Sequence, residues 1–419
     1  MSQPPSTNLP GRGFHVSGLT AVFLAAVILA PWAVVWWWRS EDRRADAPAT
    51  NTVVQQERRI QRCRPGPWGE LEYTRILIEP PLEYIPTQFD NIEPVRWVLP
   101  APTPAALGLF LATVPLTEAE RRELLAPERC ERTASDLIVK PSQEFILGLN
   151  PETRAALYTA LGKNPANVTQ FRPARFRAEA SAEWFADSGL SPATVALVEK
   201  FVYRRGNALL FADQATVLPL LESDTERSRL IKTLARKAAL LVNLRLRPGA
   251  DIDALVRYWS PATRAKDIEP LLRSLPKTAD GFLLDVVHLL PRFARMRLYT
   301  YQEPRADADT VYTDCHWSSF NFFAATPDDR FSQASAVAET LAHDYYRVPG
   351  ETQFGDVIMF VRPDGSAIHS CVYIADDIVF TKNGGDTDIP WILMQMADLL
   401  PWYAADGPVE VRSYRRRRE

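Results

Sequence analysis

Glycine is scarce in this chain, 18 of 419 residues, where an average protein uses about 7%. Loops that cradle phosphate need glycine where backbone closes on an anion, and neither G-x-G-x-x-G nor G-x-x-x-x-G-K-[ST] occurs. Nucleotide chemistry is not expected, and no cofactor is implied. Cysteine is equally sparse. Cys63, Cys130, Cys315 and Cys371 lie far apart with no C-x-x-C pair, which excludes a stapled mini-fold and a zinc-ribbon spacing. A run of one charge sign is missing along most of the chain. The 48 Lys and Arg balance 51 Asp and Glu to a net −3, and without a cationic stripe nucleic acid is not the expected partner.

What is present begins with composition. Hydrophobic residues make up 46% and charged ones 24%, the balance of a folded protein, and at about 150 residues per domain two or three units are expected. Residues 18–38 form an uncharged apolar run that as a helix, at about 1.5 Å per residue, spans a bilayer core. Trp36, Trp37 and Trp38 stand where an aromatic belt sits, immediately before Arg39. An uncleaved single-pass anchor is expected over a cleaved signal, because the A-x-A site at Ala45-Asp46-Ala47 lies nine residues past the apolar run and beyond several charges. Arg12 precedes the run and Arg39, Arg43 and Arg44 follow it, so the positive-inside rule alone puts the bulk of the chain in the cytoplasm.

After an N-terminal tail (1–17), the span (18–38) and a polar linker (39–65), residues 66–100 are expected to form a short β segment, because 69–86 alternate apolar and polar around Leu71, Tyr73, Ile76 and Ile78. Residues 101–298 read as an α-helical domain. Thr117 with Glu120 and Ser223 with Glu226 have capping-box spacing, and Asn150-Pro151 and Ser191-Pro192 pair a cap with proline at the first helical position. Leu197, Phe201 and Val202 recur at helical spacing, as do Leu230, Leu234 and Leu241. His288, in an apolar stretch, is expected to pack in the core. No solenoid period is visible.

From residue 299 the reactive residues concentrate: Cys315, Cys371 and three of the five histidines, His316, His343 and His369. In VYTDCHWSSFNFF, Thr313 or Asp314 occupies an N-cap position, so Cys315 falls in the first turn of a helix, where the positive end favours a thiolate. Downstream, residues 357–361, 367–374 and 378–381 read as a β-meander with turns at 363–366 and 375–377. Period two puts His369, Cys371 and Tyr373 on one face of the middle strand and Ser370, Val372 and Ile374 on the other. If the Cys315 helix packs on the first face, thiol and imidazole meet. A helix-borne cysteine followed by a strand-borne histidine is the order of a Cys–His hydrolase or acyl transferase.

Three elements occur in a fixed order over residues 310–385: Asp314-Cys315 opening a helix, Gly355-Asp356 in GDVIMF, and His369 to Tyr373 in HSCVY. In this the segment resembles the NlpC-type cell-wall peptidases, a papain-like family of cysteine hydrolases. The resemblance implies an α+β fold with an antiparallel sheet, Cys315 as nucleophile, His369 as base and then acid, and a third polar residue on the next strand. Alignment puts that third position at Thr381, where the family has His, Asn or Gln. Asn383 lies on the same face with better chemistry for holding an imidazole and is ranked first. Asp314, Trp317 and Tyr373 are the candidate substrate-binding residues, with His316 and Trp317 replacing the family's small residues. Peptidoglycan stem peptides are the implied substrate, which places the domain on the extracytoplasmic side, against the charge count at the anchor.

Two other readings use the same residues. A membrane-anchored binding or scaffold protein could keep this fold without turnover. A Cys/His metal site is disfavoured, because no C-x₂₋₄-C or H-x₃₋₅-H pair exists. Asp356 is read as a turn carboxylate, His343 as a helix-end residue and Cys371 as a small apolar filler, with a Cys315–Cys371 disulfide as the sharper alternative.

Overall fold

The computed structural model describes residues 60–417 except 101–102, 178–180, 207, 262–263, 276–278, 304–312 and 405–406. The expected membrane span lies outside the described residues. Among those described, no helix is long and apolar enough to cross a membrane.

The architecture is α+β with antiparallel sheets. Residues up to 298 contribute β1 (Gln61–Arg62), β2 (Glu70–Ile78), β3 (Trp97–Pro100), β4 (Cys130–Arg132), β5 (Asp136–Val139), β6 (Ala174–Arg177), β7 (Tyr203–Arg205), β8 (Ala208–Phe211), β9 (Lys237–Leu246) and β10 (Phe282–Asp285). They assemble as β1-β2-β9-β10, β3-β5-β4 and β6-β8-β7. The stretch expected to be purely α-helical is therefore mixed. Its helices start where the caps predict: Thr117 and Glu120 form a full capping box, and Ser223, Asn150 and Ser191 each accept the expected backbone N–H. The error lies between the helices. Leu241 belongs to β9, not to the helix Asp224–Leu234, because KAALLVNLRL buries Leu240, Val242, Leu244 and Leu246 at period two. Ala and Leu are strong helix formers, and that propensity masked the alternation. His288, expected in the core, is exposed on the short 3₁₀ turn Val286–Leu289.

The C-terminal sheet contains β11 (Tyr345–Arg347), β12 (Val357–Val361), β13 (Ala367–Ala375), β14 (Ile378–Lys382), β15 (Trp391–Gln395) and β16 (Glu410–Arg416), in the order β11-β16-β12-β13-β14-β15. The meander read from sequence is β12-β13-β14. Gly365, at φ 86°, supplies the left-handed residue in the first turn.

Both faces of β13 are covered. On one side Val372 and Ile374 pack with Trp317, Phe322, Phe380 and Leu393, beneath the helix Cys315–Phe320. On the other, Cys371 and Tyr373 pack with Ile358, Phe360, Val379 and Met394, beneath the helix Met396–Ala404. The first cluster continues through Leu284, Val286 and Leu289, so the boundary expected at 298/299 falls inside one core. Burial of each such side chain stabilises by about 1.5–3 kcal/mol. Polar ties cross the same line: Arg75 to Asp398 at 2.6 Å and Tyr258 Oη to the Ile374 carbonyl at 2.7 Å.

Candidate active site

Asp314 is the N-cap of the Cys315 helix, its Oδ1 accepting the Trp317 N–H at 2.9 Å. Cys315 is the first helical residue and 7% exposed. Burial first, and then the Asp314 carboxylate, push its thiol up to about 12. The backbone N–H groups of Ser370, His316 and Cys315 itself act in the opposite direction and do not prevail. The helix end alone therefore does not produce a thiolate in the resting chain.

The helix packs on the opposite face of β13 from the one that would bring Cys315 and His369 face to face. Ser370 Oγ lies 3.2 Å from the Cys315 carbonyl oxygen, 3.1 Å from Ser319 Oγ and 3.0 Å from His316 Nδ1, one of which receives its proton. Alternation correctly separated the two faces of β13 but could not say which one the helix covers. Cys315, at the helix end, lies beside the backbone of Ser370, the residue following His369.

His369 is fully buried. Its Nε2 is 3.1 Å from Thr381 Oγ1, whose own proton goes to Asn383 Oδ1 at 2.9 Å. A hydroxyl has one proton to give, so Thr381 accepts from Nε2–H and the imidazole is the Nε2–H tautomer. Nδ1 then carries the lone pair, and among the described residues it has no hydrogen-bond partner. Burial, reinforced by His316, holds the imidazole pKa well below its usual range. Resting thiol and resting imidazole are both neutral. Of the two candidates for the third position, Thr381 touches the ring and Asn383 stands one bond behind it, the reverse of the expected ranking. The Asn383 amide is turned to Met394 Sδ at 3.5 Å.

The expected substrate-binding residues divide. Asp314 is the cap. Trp317, 3% exposed, is a core residue between the tilted rings of Phe293 and Trp391 with Nε1 on Asp329, so it lines no cleft. Tyr373 lies four residues along β13 from His369, roughly 13 Å at strand rise, too far to share its site. Asp356 closes its turn through the Gln353 N–H and forms a two-bond pair with Arg415. His343 is exposed in the last turn of the helix Ala334–Asp344. Cys315 and Cys371 are free thiols. Among the described residues no three His, Cys, Asp or Glu side chains gather as metal ligands.

Two neighbours escaped the sequence reading. Lys382 is fully buried, with Nζ on the carbonyls of Gly384 and Asp386 at 2.9 and 3.0 Å, and burial pulls its pKa down to about 8. Its signal was a lysine closing the apolar run IVFTK. Tyr403 stacks on His369 at 4.2 Å with 18° between planes. Nothing local in the sequence marks it, since the helix Met396–Ala404 follows the meander by a full strand.

No family model matches the chain, and no curated protein matches it.

Proposed function

We propose that the C-terminal part is a cysteine hydrolase cleaving an amide bond, with Cys315 as nucleophile, His369 as base and Thr381 backed by Asn383 as orienting pair. The observation that carries this reading is the imidazole: its proton is committed to Thr381, and its lone pair is left without a partner one residue from the N–H beside Cys315 Sγ. That is the tautomer a general base needs. Because thiol and imidazole rest neutral, proton transfer accompanies attack. Sγ–H passes its proton to Nδ1 as sulfur bonds to the carbonyl carbon, a step for which Sγ must first close on Nδ1, since no hydrogen bond joins the two at rest. The imidazolium then protonates the departing amine as the C–N bond breaks. Water, deprotonated by the same Nδ1, releases the acid and restores the thiol.

The order Asp314-Cys315, Gly355-Asp356, His369-x-x-x-Tyr373, resembling the NlpC-type peptidases, supports peptidoglycan stem peptides as substrate. Residues 18–38 would then anchor the chain with this domain on the extracytoplasmic side. The burial of both Cys315 and His369 favours one rival, a binding module of the same fold that does not turn over.

The test is release of peptide fragments from purified peptidoglycan by the full chain in detergent, followed by mass spectrometry. Cys315→Ala is expected to abolish release with an unchanged melting transition. Equal release by the variant would overturn the mechanism. Binding of the same fragments by both proteins with release by neither would identify the binding module.

A further inference from the structure

We infer that Tyr403 is a positioning residue for His369 and that the middle of the chain holds it in place through Arg175. The inference rests on the reading of His369 as the base. The imidazole has one hydrogen bond, at Nε2, and a single bond leaves the ring free to pivot about it, because the last torsion of histidine is broad. Stacking removes that freedom. Tyr403 lies against the ring at 4.2 Å and 18°, and Phe360 borders both, 5.3 Å from the imidazole and 5.6 Å from the phenol ring in a T-shaped contact. Three rings thus fix the plane in which Nε2–H reaches Thr381 and Nδ1 points away from it.

Tyr403 is itself steadied from outside the C-terminal sheet. It sits in the last turn of the helix Met396–Ala404, next to Trp402. The guanidinium of Arg175 lies over the Trp402 ring at 4.9 Å, a cation–π contact. Arg175 belongs to β6, opposite Leu210 of β8. The small sheet β6-β8-β7 therefore reaches the imidazole through two aromatic residues, which gives the middle of the chain a part in the site.

The experiment compares Tyr403→Phe, Tyr403→Leu and Arg175→Met in the full chain. Long-range ¹H–¹⁵N spectra report the His369 tautomer and its titration, and mass spectrometry follows iodoacetamide alkylation of Cys315 near pH 7. Tyr403→Phe keeps the ring and is expected to match wild type in both. Tyr403→Leu is expected to lose the single Nε2–H tautomer, to shift the titration and to slow alkylation by about tenfold to a hundredfold, the scale of a misplaced catalytic group. Arg175→Met is expected to act in the same direction and more weakly, and to add nothing once Tyr403 is leucine. If Tyr403→Leu fails to fold, Tyr403→Met replaces it. Wild-type tautomer and alkylation rate in the folded leucine or methionine variant would overturn the inference. Full peptide release by Cys315→Ala would overturn only the hydrolase reading, since the tautomer and titration do not depend on turnover.

Discussion

Replacing Thr381 by valine tests the one hydrogen bond that holds the imidazole. Valine keeps the branched shape and removes the hydroxyl that accepts from His369 Nε2–H and donates to Asn383 Oδ1. His369 is fully buried, so bulk water cannot stand in for the lost partner. A buried donor left unsatisfied costs about 1–3 kcal/mol. Nδ1 has no partner among the described residues either, so without the hydroxyl nothing holds the proton on Nε2 and the two tautomers become comparably populated. Alkylation of Cys315 near neutral pH is expected to slow at least about twofold, and up to about a hundredfold as the ring also loses its orientation. Thr381→Ser, which restores the hydroxyl, is expected to recover most of the rate. The assay pairs alkylation kinetics with the ¹H–¹⁵N tautomer spectrum, because a loss of rate without a tautomer change would mean general damage. A Thr381→Val protein that labels at the wild-type rate and retains Nε2–H would refute the assignment of the orienting residue.

Four further outcomes are expected. On the proposed hydrolase reading turnover needs the neutral ring, and the His369 pKa is held below its ordinary 6.5, so the acid limb of kcat/KM should lie below about pH 6.5, and a limb above it would contradict the burial argument. The same shift enters stability: the unfolded chain takes up a proton that the folded ring resists, so this contribution is intact above about pH 6.5 and is lost as the pH falls below it. Asp213→Ala should destabilise by about 3–5 kcal/mol in urea unfolding. It strands Arg154, which is 1% exposed and bonded to Asp213 at 2.6 Å, and removes the acceptor of Tyr158 Oη; a loss under about 1 kcal/mol would refute that. Asp314→Ala removes an N-cap, at about 0.5–2 kcal/mol, yet also removes a carboxylate that raises the Cys315 pKa. A less stable protein with a more acidic thiol, read from alkylation against pH, is the expected pairing.

The C-terminal meander was legible because its signals are local. Alternation through HSCVYIA, the turn residues 363–366 and the cap Asp314 each act over a few positions, and the structure keeps them within a residue or two. The strands of the middle were not legible. In β9 the residues that form one apolar face are Leu and Val separated by Leu, Asn and Arg, and only pairing with β2, more than 150 positions earlier, selects the strand. Contacts that far apart leave no period within a window. Core placement failed in the same way. His288 sits among apolar residues in sequence, but a 3₁₀ turn, not a continuous helix, decides which of them face inward.

The site divides along the same line, and the division bears on its chemistry. Cys315, His369 and Thr381 could be chosen from sequence because each is fixed by a local frame: a helix start, a strand, and the hairpin that joins two strands. Their protonation could not. A helix N-terminus argues for a thiolate, while enclosure by two cores, above and below β13, argues for neutral partners, and the enclosure outweighs it at Cys315. A neutral thiol and a neutral imidazole depend on ring orientation more than an ion pair would, since no charge attraction draws the groups together before the proton moves. The stack of Tyr403 and the bond to Thr381 supply that orientation, and both come from residues whose importance appears only once the strands are folded against one another.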